Sequence, residues 1–340
     1  MNWQPPASWQ RITTIDAHTA GEPLRIITSG FPNLPGDTIL QKRQYAREHY
    51  DHLRRALMWE PRGHADMYGC ILTEPVTPDG DVGVLFMHNE GFSTMCGHGI
   101  IGLVKVGIET GMLEARGAET IVKIDTPAGR VTATAHMNGQ VERVSFLNVP
   151  SFVLAQDQVV AVPGLGSVAY DIAFGGAFYA YVDANALGVD ITPYNQSELI
   201  DVGMRIKRAV MAAYNIKHPA GDDDLNFLYG TIIVKMLPDS DVHSRNVCIF
   251  AEGEVDRCPT GTGVSGRLAL HYARGEIAVG QEIVIESLIS TRFSGKVVET
   301  TRVGDIPAVI PQVSGTAHIT GRHEFLIDPQ DTLSNGFILR

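Results

Sequence analysis

Two short glycine-rich segments each place a chemically active residue directly before a turn. The first is Cys96-Gly97-His98-Gly99, and the second is Thr260-Gly261-Thr262-Gly263. Glycines leave backbone N–H groups open to a ligand, and a helix that begins at such a turn adds the positive end of its dipole. Each segment therefore predicts a site for an anion such as a carboxylate, with a thiol beside the first.

Cys96 is the candidate base. A lone cysteine is more often a small buried hydrophobe than a reagent, but a helix N-terminus lowers the pKa of a thiol. Cys70 and Cys248 lie in apolar, strand-like runs, which predicts structural roles for both. Cys258 stands two residues before Thr260. The sequence has no C-x-x-C pair, so a zinc site is not predicted.

The two segments belong to an internal repeat. Their lead residues are 164 residues apart. The two glycines of each segment coincide at this spacing, Gly102 matches Gly266, and Gly111 matches Gly275. The apolar stretches between these glycines predict two helices of equal length, each with a glycine C-cap. Because the spacing is close to half of the chain length, the repeat predicts two related domains.

Hydrophobic patterning predicts a strand-rich α+β fold with few helices. The predicted strands are Ile121–Ile124, Val131–Ala135, Val141–Leu147, Gly230–Met236 and Arg245–Phe250. The predicted helices are Thr38–Trp59, Gly99–Thr110, Ser197–Tyr214 and Gly263–Ala273. We expect antiparallel meanders around both glycine-rich segments.

Composition narrows the class of protein. The chain has 340 residues and a net charge of −11, which argues against nucleic acid or an anionic membrane as a partner. It has no apolar run of about eighteen residues, so no membrane span is predicted. Met1–Gln10 lacks the basic and apolar regions of a signal peptide, and we expect a cytoplasmic protein.

Both segments also fit the G-x-G-x-x-G pattern of dinucleotide sites, and Glu119 stands about 20 residues after the first. A Rossmann site requires a parallel βαβ unit, whereas antiparallel strands are expected here. A helix-packing turn without a ligand is the other interpretation. It does not explain why reactive or polar residues lead both turns.

Five ordered segments resemble the proline racemase family: Asp16–Pro23, Arg62–Gly69, Met95–Gly99, Gly175–Tyr179 and Asp256–Gly263. The resemblance extends over nearly the whole chain. It implies a diaminopimelate-epimerase-like fold, in which two pseudo-symmetric domains each wrap strands around a central helix. The active site would lie in the interdomain cleft.

The resemblance also implies a division of the chain. Residues 1–150 would form the first half, which carries Cys96 and is joined by 323–340. Residues 151–322 would form the second half, which carries Asp256 and Thr260.

Roles for individual residues follow from the same resemblance. Cys96 would take the Cα proton of a cyclic imino acid, and Asp256 would pair with the ring ammonium. Backbone N–H groups would stabilise the carbanion, and no metal or organic cofactor is needed. Four residues would bind the carboxylate and the amine region, namely Gly97, His98, Gly261 and Thr262.

Thr260 stands where racemases and epimerases of the family place a second cysteine. A threonine hydroxyl is too weak an acid to protonate Cα from the opposite face near neutral pH. Thr260 instead resembles the trans-3-hydroxy-L-proline dehydratase branch. In that substrate the Cα–H and the 3-hydroxyl lie on one ring face, so Cys96 alone could suffice. The expected product is Δ1-pyrroline-2-carboxylate.

Two alternatives are left open. The first is a 4-hydroxyproline 2-epimerase or proline racemase that uses Cys258 as a register-shifted second base. The second is a non-catalytic imino-acid-binding protein. The sequence does not decide whether the chain forms a homodimer. It also leaves open the roles of six further residues, namely His18, Arg62, His64, Asp66, Phe178 and Tyr179.

Overall fold

A computed structural model describes residues 3–219, 223–238 and 240–339. Residues 1–2, 220–222, 239 and 340 of the predicted halves lie outside these ranges. The helices are α1 (Ile39–His49), α2 (Asp51–Met58), α3 (Gly97–Glu109), α4 (Ala184–Leu187), α5 (Gln196–Ala213) and α6 (Gly261–Ala273). Single 3-10 turns lie at Pro193–Asn195 and Asp223–Leu225.

The strands outnumber the helices, as the patterning predicts. Those before α5 are β1 (Gln10–Thr19), β2 (Glu22–Ser29), β3 (Tyr68–Thr73), β4 (Val82–His88), β5 (Phe92–Ser93), β6 (Glu119–Thr126), β7 (Gly129–Asn138), β8 (Gln140–Leu147), β9 (Ser151–Val162), β10 (Gly166–Phe174) and β11 (Phe178–Asp183). Those after it are β12 (Leu228–Met236), β13 (Ser244–Phe250), β14 (Glu254–Val255), β15 (Glu282–Glu286), β16 (Arg292–Val303), β17 (Ile306–Gly315) and β18 (Ala317–Ile327).

One predicted helix is interrupted. The prediction of a single helix over Thr38–Trp59 was wrong, because the chain leaves the helical conformation at Tyr50 (φ −127°, ψ 17°). A new helix starts at Asp51, whose carboxylate accepts a hydrogen bond from Arg54 Nε at 2.6 Å. An acidic residue in the first turn favours a helix start at that point.

The internal repeat is present in the structure as a repeated order of elements. Helices α3 and α6 each have 13 residues, and each is followed by a glycine with positive φ, Gly111 at +77° and Gly275 at +70°. The order β4-β5-α3-β6 recurs as β13-β14-α6-β15. The two predicted helices and the glycines that follow them are confirmed, although each helix begins two residues earlier than predicted, at Gly97 and Gly261.

The strand directions around the repeat differ from expectation. Strand β4 pairs with β6 in parallel, and β13 pairs with β15 in parallel. The prediction of antiparallel meanders was wrong for these two pairs. Helices α3 and α6 each act as a crossover connection, so the strand after the helix runs in the same direction as β4 or β13. Each of these two pairings has only two residue pairs. Strands β2–β3 and β11–β12 are also parallel, and most other neighbours are antiparallel.

Strands surround both repeated helices. Around α6 they form a closed ring of β9, β10, β11, β12, β13, β15, β16 and β17, which β17 completes by pairing with β9. Around α3 the order is β18-β1-β2-β3-β4-β6-β7-β8, and β8 pairs with β17. Both helices are buried along almost their whole length, which explains why they carry apolar and small residues.

The fold is therefore a mixed α/β arrangement with a closed strand barrel. The sheet continues through β8 and β17, and the division at residues 150 and 322 stays a prediction. None of the helices within the described ranges has the length and apolar character needed to cross a membrane.

Candidate active site

The N-termini of α3 and α6 meet in the middle of the molecule. A Cβ atom added to Gly97 would lie 2.6 Å from Gly261 Cα, so this approach requires glycine. A cavity of about 20 Å³ lies at the contact. All seven residues predicted for the site line it, namely Cys96, Gly97, His98, Asp256, Thr260, Gly261 and Thr262.

Cys96 is the N-cap of α3. Its backbone is extended (φ −147°, ψ 110°), and its sulfur accepts a hydrogen bond from the Gly99 N–H at 3.2 Å. The side chain is buried, and burial raises the pKa of the thiol well above its ordinary value, although the bonds from Gly99 and Tyr68 oppose this change. The expectation of a lowered pKa was wrong, because desolvation outweighs the helix terminus.

His98 lies directly beside this sulfur. Its Nδ1 is 3.2 Å from Cys96 Sγ, and a ring nitrogen also bonds to the Pro23 carbonyl. Burial lowers the pKa of His98 to about 4, so the imidazole is neutral near neutral pH. The raised pKa of Cys96 and the lowered pKa of His98 both favour the neutral side chains, which lie within proton-transfer distance of each other.

Thr260 is the N-cap of α6, but its geometry differs from that of Cys96. Its φ is +65°, and its hydroxyl donates to Asp256 Oδ2 at 2.8 Å. A Cβ atom added to Gly263 would lie 3.1 Å from the Thr260 methyl group, just as one added to Gly99 would lie 3.0 Å from the Cys96 sulfur. The methyl group thus takes the position over the first turn that the sulfur takes in α3.

Cys258 is buried, and the cavity wall described above does not include it. Its sulfur accepts the Thr260 N–H at 3.3 Å, and its own N–H donates to Asp256 Oδ1 at 2.8 Å. Ligand atoms of His98, Asp256 and Cys258 lie within 4.8 Å of one another. These are donor types that zinc accepts, although no such ion was predicted.

Seven further residues line the cavity, and the sequence interpretation assigned none of them to the site: Glu22, Tyr68, Met95, Tyr179, Tyr229, Cys248 and Phe250. Tyr229 and Phe250 stack with ring centroids 5.2 Å apart. The structural role predicted for Cys248 was incomplete, because it is buried in β13 and also contributes to the wall. The alternation of side chains along a strand puts Cys248 and Phe250 on one face, and this signal could have found both.

Tyr179 is a wall residue whose hydroxyl bonds to Thr262 Oγ1 at 2.6 Å. The other residues with open roles lie outside the wall. Asp66 pairs with Arg257 at 2.9 Å, and Phe178 is core. Arg62 Nε donates to a backbone carbonyl in the C-terminal segment at 3.2 Å. His18 and His64 also lie outside the wall.

Comparison with known proteins places these features in context. A family model described as proline racemase matches residues 14–338. The chain is 50% identical to the trans-3-hydroxy-L-proline dehydratase of Colwellia psychrerythraea, over 99% of this chain and 96% of that protein. It is 47% identical to a 3-hydroxyproline 2-epimerase of Burkholderia multivorans, over 97% of this chain and 98% of that protein.

The fold has a close match among solved structures. A hydroxyproline epimerase from Agrobacterium vitis with bound trans-4-OH-L-proline superposes with a TM-score of 0.92 at 30% identity. The match covers 98% of this chain and 96% of that one.

Proposed function

The chain belongs to the proline racemase family, and on that premise we propose that it removes water from trans-3-hydroxy-L-proline to give Δ1-pyrroline-2-carboxylate. The high identity to the dehydratase of Colwellia psychrerythraea supports this function. We also propose that the two strand-wrapped helices form two pseudo-symmetric halves, with the cavity as the cleft between them.

A single observation carries the proposal. One helix start holds a sulfur at the cavity, and the other holds a hydroxyl that donates to Asp256 at 2.8 Å. Reversal of configuration at Cα needs an acid on the face opposite to the base, and a threonine hydroxyl cannot supply one near neutral pH. Dehydration of the trans isomer has no such requirement, because both leaving groups lie on one ring face.

The substrate's placement follows from charge. Its carboxylate would lie at the two helix starts, where Gly97 and Gly261 expose backbone N–H groups. The ring ammonium would lie beside Asp256, and the ring would pack against Tyr68 and Phe250. A cavity of about 20 Å³ holds roughly one water molecule, so the walls must move apart before a pyrrolidine ring can enter.

Catalysis then begins with the Cys96 thiol. Its proton can pass to His98 Nδ1, 3.2 Å away, and the substrate's ammonium would stabilise the resulting thiolate. The thiolate takes the Cα proton, and N–H groups of both helix starts stabilise the negative charge on the carboxylate. The C3–O bond breaks, and hydroxide leaves as water with the proton now on Cys96. The enamine tautomerises to the imine.

Epimerisation of 3-hydroxyproline is the second candidate, because the Burkholderia multivorans relative carries that name. It would require a second acid on the opposite face. Cys258, the second base in the epimerase alternative, is buried and lies off the cavity wall, which argues against this reaction.

The test is an assay of the purified chain with trans-3-hydroxy-L-proline, with trans-4-hydroxy-L-proline and L-proline as controls. We expect Δ1-pyrroline-2-carboxylate from the first compound alone. Accumulation of an epimer in place of this product would support the second candidate. Tight binding without turnover or Cα exchange would identify a binding protein. The cytoplasmic location stays a prediction, and the question of a homodimer stays open.

A further inference from the structure

Glu22 is a buried acid on the cavity wall that the mechanism above does not use. It follows the turn between β1 and β2, and this turn reaches the second half of the chain, where Thr291 Oγ1 donates to the Ala20 carbonyl at 2.7 Å. The Arg257 N–H donates to Glu22 Oε2 at 2.7 Å. The carboxyl group is therefore fixed next to Asp256.

The other oxygen of this carboxyl group is unsatisfied. Glu22 has 0% exposure, and its Oε1 has no hydrogen-bond partner among residues 3–219, 223–238 and 240–339. A buried polar atom without a partner destabilises a protein, so such an atom in a native site calls for a functional explanation.

The surroundings of Glu22 favour its protonated form. Burial is the largest cause that raises its pKa well above the ordinary value, Asp256 adds to it, and Arg257 opposes it. The titratable or charged groups that interact with Glu22 are Asp66, Cys96, Cys248, Asp256, Arg257 and Cys258.

The neighbours of Glu22 are the groups assigned above to the ring nitrogen. A pyrrolidinium nitrogen carries two N–H donors, and Asp256 can take one. His98 offers no free acceptor, because its ring contacts Cys96 Sγ and bonds to the Pro23 carbonyl. Two oxygens of the wall have no hydrogen-bond partner among the described residues, Glu22 Oε1 and the Tyr229 hydroxyl, and of the two only Glu22 Oε1 belongs to a carboxyl group, which accepts from an ammonium as an anion.

We propose that Glu22 Oε1 accepts the second N–H of the ring nitrogen, and that Glu22 releases its proton to solvent when the ammonium binds. This inference rests on the proposed placement of the substrate. The step breaks one O–H bond of the acid and forms one N–H···O hydrogen bond, with no change in oxidation state.

The test measures proton release on binding of L-proline, which has the ammonium but no 3-hydroxyl. Calorimetry in buffers of different ionisation enthalpy reports the number of protons. We expect close to one proton from the unchanged enzyme and none from Glu22→Gln. A charge-assisted hydrogen bond predicts a KM for trans-3-hydroxy-L-proline raised about tenfold or more in the variant, with a smaller change in kcat.

Glu254→Gln is the matched control, since Glu254 is also fully buried but lies outside the cavity wall; it should release the same proton as the unchanged enzyme. If L-proline releases no proton from the unchanged enzyme, or if Glu22→Gln still releases it, the inference is wrong. Glu22-dependent release in a chain that does not dehydrate the hydroxyproline would uphold the inference and refute the proposed function.

Discussion

The starts of α3 and α6 have equivalent places in the repeat but different chemistry. Cys96 begins α3 with an extended backbone, and its sulfur contacts His98 at 3.2 Å. Thr260 begins α6 with φ +65°, and its hydroxyl is bound to Asp256. The repeat therefore has a glycine-rich helix start at both positions but the thiol of a cysteine at only one of them.

The backbone at Thr260 adds to this difference. A positive φ is a rare conformation for a β-branched residue, and such strain persists only where the surroundings fix it. Here the bonds from Thr260 to Asp256 and Cys258 fix it. We infer that Thr260 orients Asp256 toward the substrate and does not exchange protons with Cα.

Replacing the sulfur of α3 should have the largest effect. Cys96→Ser should lower kcat at least about a thousandfold, because a serine hydroxyl is a much weaker acid–base group at neutral pH. Steady-state kinetics with trans-3-hydroxy-L-proline measures the loss, and thermal unfolding checks that the variant is folded. Activity within a few-fold of the unchanged enzyme would exclude Cys96 as the base.

Adding a sulfur to α6 should make the two starts alike. Thr260→Cys supplies an acid–base group on the opposite face, and we expect epimer formation at least about tenfold above that of the unchanged enzyme. Chiral chromatography of the recovered hydroxyproline measures it, with Thr260→Ser as the control without a thiol. Equal amounts of epimer from both variants would refute the two-face explanation.

The buried acid beside α6 should make stability depend on pH. The folded pKa of Glu22 lies above its unfolded value of 4.5. The contribution of the protonated acid to the free energy of unfolding is therefore complete below pH 4.5, and it is lost as the pH rises through the folded pKa. Glu22→Gln should therefore gain stability relative to the unchanged enzyme with rising pH, by about 1.4 kcal/mol per unit of pKa elevation. Urea unfolding at several pH values tests this, and a constant difference would contradict it.

Removing the other sulfur near α6 should have the smallest effect. Cys258→Ala should keep its activity within about threefold, a change of well under 1 kcal/mol in the barrier. Cys258→Ser, which keeps an acceptor for the Thr260 N–H, is the matched control. A loss comparable to that of Cys96→Ser would instead assign the second base to Cys258.

The sequence predicted the repeat because glycines carry a strong local signal. Gly97 and Gly261 are required where the two helix starts meet, and Gly111 and Gly275 have the positive φ of a C-cap. The predicted site residues lie in the two glycine-rich segments or a few positions before them, so the local sequence was enough to find them. All seven line the cavity wall.

The remainder of the site depends on distant contacts. The raised pKa of Cys96 results from burial by the strands around α3, which local spacing does not report. Glu22 lies next to Asp256 only because the β1–β2 turn packs on the second half of the chain. Its hydrogen-bond partner Arg257 is 235 residues away along the chain. The parallel pairing of β4 with β6 likewise depends on where the helix returns the chain.

Incubation with L-proline in deuterated water tests most directly whether acid–base chemistry acts on only one face of the ring. L-Proline cannot lose water, so any proton exchanged at Cα is returned by the enzyme. We predict that the recovered proline stays entirely in the L form, with or without deuterium at Cα. Recovery of D-proline that carries deuterium at Cα would contradict the account.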